Sequence, residues 1–439
     1  MKLKHIIFTF LLPVLLITSC KREQDRIFEE NASVRMTEAI ANAYGVLQGN
    51  EAGWVMTYYP SDNQEFGGYT IFTKFISNAQ VTMVSDAIES SETSTYSVIH
   101  DTGPVLSFNG YNKAIHWFSE PGMDNGRIGA DDTGMKGDFE FIVLKATADS
   151  VVLKGKKSGT EVVMLPLSGD EFEQQGEAYQ EAAAQFGEFG VFKLEDASGD
   201  LLDMPYSSPI RVFRNPKDAS GNEMSFRVIP GGLEFYAEQE MEGVTFKTLK
   251  FVEPTTAYPY GYYTNDNATF KIVPDITPLN VWFRTNTWAM RYSGLGAEGQ
   301  YWWSQGRTRF QNFGYTLNYV DIGDFSTQIA PGFTGFAPFL SVNGQSSAAY
   351  FGYNMVPVNG TVDEISFAFT GSYYSTAAFD IAYWSNAIVY LVQMLNNRTF
   401  VITSDQLEKP SVMLLTDKED PTNTIELILN GDIYDPLNN

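Results

Sequence analysis

The 439-residue sequence has little cysteine, histidine or basic charge. A single cysteine cannot form an intramolecular disulfide, and three histidines leave few ligands for a zinc site. Only 29 lysine and arginine residues accompany 53 aspartate and glutamate residues, so the formal net charge is −24. Because binding to phosphates needs clustered basic residues, this balance argues against nucleic acid as a partner. Apolar residue types make up 44% of the chain, which excludes wholesale disorder.

The sequence also lacks a catalytic motif. No His-Glu-x-x-His or Gly-x-Ser-x-Gly pattern occurs, and a serine-type triad could use only His100 or His116 as its base. Gly294, Gly296 and Gly299 form Gly-x-Gly-x-x-Gly, but the residues after them look like a strand, whereas dinucleotide binding requires a helix there. We therefore expect a flexible loop at these glycines and no enzymatic activity.

The first twenty residues predict an export signal. Two lysines precede an apolar run over 6–17, which is too short to span a bilayer. The run leads into Ile17-Thr18-Ser19-Cys20, which resembles the bacterial lipobox. The resemblance implies that residues 1–19 are a signal peptide and that Cys20 becomes the lipidated first residue. An ordinary signal peptide with an incidental cysteine is the alternative.

Residues 20–50 are expected to hold the lipid anchor, a tether and a helix. The segment Lys21-Arg22-Glu23-Gln24-Asp25 resembles the export tags of surface-exposed Bacteroidota lipoproteins, although a plain polar tether is an equal alternative. An apolar stripe from Ile27 to Leu47 then predicts a helix that ends at Gly49.

From Trp54 onward the sequence is mostly strand-like. Short runs of β-branched and aromatic residues alternate with Gly, Asn and Asp. This pattern predicts a mainly β, β-rich α+β fold of antiparallel sandwich or barrel-like units. We expect a first β unit at 51–169, an acidic helix at 170–189, a continuation of the first β-rich half at 190–265, and a second β-rich domain at 266–439.

Two segments of the second domain are assigned from their apolar pattern. Residues 379–396 are apolar on nearly every side, which favours a buried helix, with strands as the alternative. Tyr301, Trp302 and Trp303 are expected to form a strand, in which alternation would turn aromatic rings to both faces.

Aromatic residues give the main hint of ligand binding. They make up 14% of the chain, and most must lie in the core. Two clusters strain that interpretation, because four tyrosines surround Pro259 in a turn-rich segment and three aromatics are consecutive at 301–303. Exposed rings would suit stacking on sugars or peptide side chains, and two-sided burial is the alternative. The candidate ligand-binding residues are Tyr260, Tyr262, Tyr263, Tyr301, Trp302 and Trp303.

One acidic stretch is a weak candidate for a calcium site. Asp131, Asp132 and Asp138 lie in a turn-rich, glycine-rich segment, and Ca²⁺ prefers oxygen ligands. The spacing differs from that of an EF-hand loop, so a mobile acidic hairpin loop is preferred. We expect no cofactor.

Four strand-like motifs carry a family resemblance: Gly-Trp-Val-Met-Thr-Tyr-Tyr-Pro at 53–60, Gly-Tyr-Thr-Ile-Phe at 68–72, Leu-Ser-Phe-Asn at 106–109 and Val-Val-Leu-Lys-Gly at 151–155. Together with the lipobox, they are similar to a Bacteroidota lipoprotein family of unknown function. Such lipoproteins tend to be encoded beside SusC/SusD-type outer-membrane nutrient importers. The resemblance implies an accessory protein that captures glycan or peptide, and it offers no catalytic residues.

We therefore expect a non-catalytic lipoprotein held in the outer membrane through Cys20, on the cell surface or the periplasmic face. Its expected partners are a SusC/SusD-like transporter, other lipoproteins, and a glycan or peptide ligand. A structural or adhesive envelope protein is the first alternative. A surface hydrolase is a weaker one.

Overall fold

The computed structural model describes residues 31–121, 128–206, 210–343, 345–375 and 381–429. The predicted signal peptide, Cys20 and the charged tether lie outside these residues. The structure is mainly β, as predicted, with three antiparallel sheets, and the third sheet closes into a barrel. No helix in the described part of the chain is both long and apolar enough to cross a membrane.

The helices are short and few compared with the strands. Six α-helices are described, and a single 3₁₀ turn at Trp117–Ser119 follows the second of them. In chain order they are α1 (Ala32–Gly49), α2 (Lys113–His116), α3 (Glu171–Gly187), α4 (Leu279–Arg284), α5 (Ala297–Asn312) and α6 (Ile381–Val392).

The first sheet has nine strands in the order β4-β3-β2-β1-β9-β8-β7-β6-β5. Along β1, buried residues alternate with partly exposed ones, as in a strand with one face on a core. Helix α1 covers this core, and the Trp54 indole N–H donates to the Leu47 carbonyl at 2.9 Å. The strands are β1 (Trp54–Tyr58), β2 (Tyr69–Phe75), β3 (Gln80–Ser85), β4 (Ile88–Thr95), β5 (Ser97–His100), β6 (Pro104–Ser107), β7 (Glu140–Thr147), β8 (Ser150–Gly155) and β9 (Glu161–Pro166).

The second sheet has eight strands in the order β11-β10-β17-β16-β15-β14-β13-β12. It has its own aromatic core. Its last strand ends at Pro274. The strands are β10 (Phe192–Glu195), β11 (Leu201–Met204), β12 (Val212–Arg214), β13 (Glu223–Ile229), β14 (Gly232–Met241), β15 (Val244–Val252), β16 (Tyr262–Thr264) and β17 (Lys271–Pro274).

The acidic helix α3 lies between these two sheets. Near its start, Phe172 packs against Phe72 and Val84 of the first sheet. Near its end, Phe186 joins the core of the second sheet. Its glutamates face away from these contacts, so the helix has one apolar side and one solvated side.

The barrel closes through pairing of β18 with β25. Trp288 and Met290 of β18 belong to its hydrophobic core. Helices α5 and α6 pack on each other and add Trp303 and Leu391 to the same core. The strands are β18 (Thr287–Leu295), β19 (Thr316–Asp324), β20 (Thr334–Val342), β21 (Gln345–Pro357), β22 (Glu364–Ser375), β23 (Arg398–Ser404), β24 (Val412–Asp417) and β25 (Thr424–Leu429).

The prediction of a strand at Tyr301–Trp303 is wrong, because these residues lie within α5. The buried positions of α5 are Gly299, Trp303, Gly306 and Phe310, which follow the spacing of three and four residues of a helix. The strand preference of consecutive aromatic residues misled the prediction. Packing of the buried stripe against the barrel core outweighs this preference and stabilises a helix.

The prediction of a flexible loop at the glycine motif is also wrong. Gly294 lies near the end of β18, Gly296 is the N-cap residue of α5, and Gly299 is buried inside that helix. A strand therefore leads in and a helix follows. However, β18 pairs antiparallel with both of its neighbours, so the parallel βαβ unit of a dinucleotide site is not formed here.

Candidate ligand-binding cleft

A large cleft lies where the two sheets meet the barrel. Its volume is about 1020 Å³, and it continues into a smaller pocket of about 320 Å³ because the two share part of their lining. We call the larger space the junction cleft. It is lined by Glu89, Tyr206, Tyr260, Leu279, Val362, Asp363, the end of α3 and the following loop (Ala184, Gly187, Glu188, Gly190), and the 402–408 segment of the barrel.

A buried ion pair forms the floor of the smaller pocket. Arg211 Nη1 donates to Asp86 Oδ2 at 2.6 Å and to the Gly68 carbonyl at 3.0 Å. The guanidinium also lies over the Tyr69 ring, 4.4 Å from its centre. Burial raises the pKa of Asp86, and the charge of Arg211 opposes that rise. The neutralised pair leaves this pocket without a free charge on its floor.

The same ion pair joins the first sheet to the second. Asp86 follows β3, whereas Arg211 directly precedes β12. The backbones also meet here, because the Gly68 N–H donates to the Phe226 carbonyl at 2.9 Å. Gly67 permits this approach with φ of +72°, and a Cβ atom there would lie 2.5 Å from the Arg211 carbonyl oxygen. The two sheets are therefore held in direct contact.

Two buried oxygen atoms in the lining of the junction cleft, one from the second sheet and one from the barrel, lack well-formed hydrogen bonds. The Tyr260 hydroxyl and Glu408 Oε1 are both buried, and neither makes a hydrogen bond of good geometry to a described residue. Burial raises the pKa of Tyr260 to about 12, and the charges of Asp363 and Glu188 add to the rise. The Leu279 backbone lies close enough to the Tyr260 hydroxyl to oppose the rise in its pKa. Burial also raises the pKa of Asp363. Asp363 and Glu188 therefore give the cleft negative charge, and the two oxygen atoms lie buried within its lining.

Not every acid at the cleft is available for binding. Desolvation would raise the pKa of Asp405, but hydrogen bonds outweigh it and lower the pKa. The carboxylate accepts from the Ser411 hydroxyl at 2.5 Å and from the backbone N–H groups of Ser411 and Val412 at 2.9 and 3.0 Å. These bonds order the loop that follows β23 and occupy the carboxylate oxygens. Within that loop, Leu407 packs against both the barrel core and the core of the second sheet.

The structure separates the aromatic residues that the sequence singled out. Tyr260 lines the junction cleft, whereas Tyr263 and Trp303 are buried in two different cores. Tyr262 is partly buried beside Tyr258, whose ring centre is 4.7 Å away. Tyr301 is 56% exposed on α5, and the adjacent Trp302 donates its indole N–H to Glu298. Of the six candidates, Tyr260 is the one in the cleft.

The calcium candidates do not converge. Asp131 and Asp132 are exposed, whereas Asp138 is buried. The Asp138 carboxylate accepts from the backbone N–H groups of Lys157 and Ser158 at 2.7 and 2.8 Å, so it orders a turn of the first sheet. The described residues contain no group of three His, Cys, Asp or Glu side chains arranged to hold a metal ion.

Sequence reasoning missed most of the cleft. Glu188, Asp363 and Glu408 come from three separate connections, and no local spacing links them. The one available signal was the tyrosine-rich segment around Pro259, which placed Tyr260 among the candidates. The arrangement of acceptors and a tyrosine ring in a large cavity suits ligand binding.

The family assignment comes from a match over residues 24–253 to the model of a domain of unknown function, DUF4302. The chain belongs to this family. The match includes α1, the first sheet and the second sheet through β15, and it stops before the barrel. The junction cleft of this DUF4302 protein is thus lined partly by the matched region and partly by the barrel.

Comparisons with individual proteins add little to this assignment. No curated protein matches the chain. Among solved structures, it is similar to isotype 1 transferrin binding protein B from serogroup B Neisseria meningitidis, with 10% identity. That similarity covers 86% of this chain and 73% of the other, at a TM-score of 0.15. A score this low supports no structural equivalence.

Proposed function

We propose that this DUF4302 protein is a lipid-anchored outer-membrane protein that captures a glycan or peptide for a SusC/SusD-like importer. The observation that carries the binding part is the junction cleft, because large cavities between structural units are the usual sites of ligand binding. The lipobox at Cys20 supports the anchoring, and the resemblance of the strand motifs supports the transporter association.

The lining of the cleft favours a ligand that brings hydrogen-bond donors. Tyr260 and Glu408 offer acceptor oxygens that lack partners in the described residues. Asp363 and Glu188 add negative charge, and Arg211, at the floor of the connected pocket, is neutralised by Asp86. A hydroxyl-rich neutral glycan or a basic peptide meets these conditions, whereas an acidic ligand would be repelled.

The setting is tested by affinity purification from native outer membranes in mild detergent, with a tag after Asn439. We expect a channel-type partner and a SusD-like partner in stoichiometric amounts. Recovery of the protein alone would contradict the transporter association and favour the structural or adhesive alternative.

The cleft is tested by retention on a panel of immobilised neutral polysaccharides and a casein digest. The double variant Tyr260→Phe/Glu408→Gln should weaken retention of the bound component about 30-fold, because two hydrogen bonds are lost and each contributes about 1 kcal/mol. Tyr111→Phe/Glu238→Gln makes the same chemical changes at exposed positions outside the cleft. Equal losses in the two double variants would contradict binding in the cleft.

A further inference from the structure

The outer face of the barrel carries a carboxyl group without a partner. Val320 and Ile322 point into the barrel core, so strand alternation turns Asp321 between them to the outside. No described residue donates a hydrogen bond to this carboxyl group or forms an ion pair with it. Burial raises the pKa of Asp321 to about 7, and no opposing charge reduces the rise.

Aromatic rings flank this carboxyl group. On the same strand, Tyr319 stacks with Phe339, and the ring centres are 4.4 Å apart. On β21, Tyr350 packs against Phe325 at 5.1 Å. Burial raises the pKa of both tyrosines, and the charge of Asp321 adds to each shift. Both rings are therefore close enough to sense the carboxylate.

Small side chains lie beside the carboxyl group on the neighbouring strands. In the strand register, Asp321 lies opposite Ala289 of β18 and Ala337 of β20. Both alanines are buried, and their side chains end at the surface of the sheet. A longer neighbour at either position would have reached the carboxyl group. The nearest basic residue of β18, Arg291, is instead paired with Glu426 at 3.0 Å.

We propose that Asp321, Tyr319 and Tyr350 form a slot for one organic cation, an alkylammonium group such as the end of a lysine side chain. An ammonium has three N–H donors, which match a carboxylate that lacks donors. The flanking rings attract the cation through their faces and cover its methylene stem. Removing the charge from the carboxylate offsets the cost of its burial.

The slot is independent of the junction cleft and of the proposed uptake role. It lies on the outer face of β19, whereas the cleft is formed by the 402–408 segment and the connections at 184–190, 260 and 362–363. The source of the cation, either a lysine side chain or a free diamine, is decided by the experiment.

The experiment is carbon NMR of the full mature chain labelled at the aspartate carboxyl carbons, with Asp321→Asn used to assign the signal. In the free protein, the Asp321 carboxyl should titrate near pH 7. Saturating Nα-acetyl-lysine-N-methylamide should lower that midpoint by at least one pH unit. Such a shift means that the lysine amide binds the ionised carboxylate at least tenfold more tightly than the protonated form. The norleucine analogue, which lacks the ammonium, should leave it unchanged. A free-protein midpoint near pH 4, or no shift with the lysine amide, would overturn the proposal.

Variants and a second probe complete the test. Asp321→Asn should weaken the lysine amide at least tenfold, and Tyr319→Leu should weaken it several-fold. Asp203→Asn removes the same charge from an exposed site on β11, so an equal loss there would overturn the slot in favour of general electrostatic attraction. Cadaverine binding more tightly than the lysine amide identifies a free diamine as the ligand, and the reverse order identifies a lysine side chain.

Discussion

The two junctions of this molecule are built in opposite ways. Between the first and second sheets, the Arg211–Asp86 pair is buried and the backbones of Gly68 and Phe226 are hydrogen-bonded. Between the second sheet and the barrel, a cleft of about 1020 Å³ stays open, and Tyr260 and Glu408 carry buried oxygen atoms without described partners.

The difference indicates which junction supports structure and which supports binding. A junction whose polar groups are all paired gains nothing from a ligand, whereas unpaired acceptors are costly until a ligand supplies donors. The family match reaches across the first junction and ends before the barrel. The family match therefore includes the residues of the closed junction but only part of the lining of the open one.

The largest expected effect comes from breaking the closed junction. Arg211→Met removes one partner of the buried ion pair and leaves Asp86 unpaired. The free energy of unfolding should fall by about 3–5 kcal/mol, the usual cost of an uncompensated buried charge. Urea denaturation followed by tryptophan fluorescence measures this change.

The matched control is Arg214→Met. Arg214 lies three residues after Arg211, and its ion pair with Glu223 is exposed. The variant should cost less than about 1 kcal/mol, because exposed pairs contribute little. A similar cost for both variants would show that the closed junction does not depend on the buried pair.

The backbone approach at the closed junction should also be sensitive. Gly67→Ala adds a Cβ atom at positive φ that would meet the Arg211 carbonyl, so we expect a loss of about 3 kcal/mol. Gly231→Ala has a similar φ of +78° and no atom within 4 Å, so it should lose only about 1 kcal/mol. Calorimetric melting of both variants gives the comparison, and equal losses would exclude a steric role for Gly67.

The barrel should show a pH dependence that comes from one carboxyl group without a basic partner. The folded-state pKa of Asp321 is raised from 3.8 to about 7, so its stabilising contribution is complete below pH 3.8 and is lost as the pH rises through 7. Asp321→Asn cannot ionise, and it should therefore be more stable than the parent protein by about 4 kcal/mol at pH 8 but not at pH 4. Thermal melting at the two pH values checks this, and a difference that is independent of pH would contradict it.

The smallest expected effect is at the open junction. Tyr260→Phe removes a buried hydroxyl that has no described partner, so the free energy of unfolding should change by less than about 1 kcal/mol, in the stabilising direction. Tyr58→Phe is the matched control, because the Tyr58 hydroxyl accepts from the Asp138 N–H at 2.7 Å and its loss should destabilise. Clear destabilisation by Tyr260→Phe in urea denaturation would mean that the hydroxyl serves the fold.

The sequence predicted the class of fold better than the local structure of the barrel. Alternating short strands and the acidic segment before Phe189 have strong periodic patterns, and both were recognised. Helix α5 was missed, because Tyr301, Trp302 and Trp303 have strand preferences as single residues. Only packing against the barrel core shows that every third or fourth residue is buried.

The site was less predictable than the fold. Its acceptors lie on connections that are far apart in sequence, and the distance between Glu188 and Glu408 in the chain carries no periodic signal. The carboxyl slot on the outer face of the barrel is equally difficult to predict, because in the sequence Asp321 resembles any outward-facing residue of a strand. Its significance depends on the alanines and tyrosines of neighbouring strands.

The most direct test of the open junction is hydrogen–deuterium exchange of the mature chain, with and without the component retained from the polysaccharide panel and the casein digest. Binding in the cleft should slow amide exchange in 184–190 and 402–408, which line it, and leave the closed junction around Gly68 and Arg211 unchanged. Slower exchange confined to other segments, or a panel from which nothing is retained, would contradict ligand capture in the cleft.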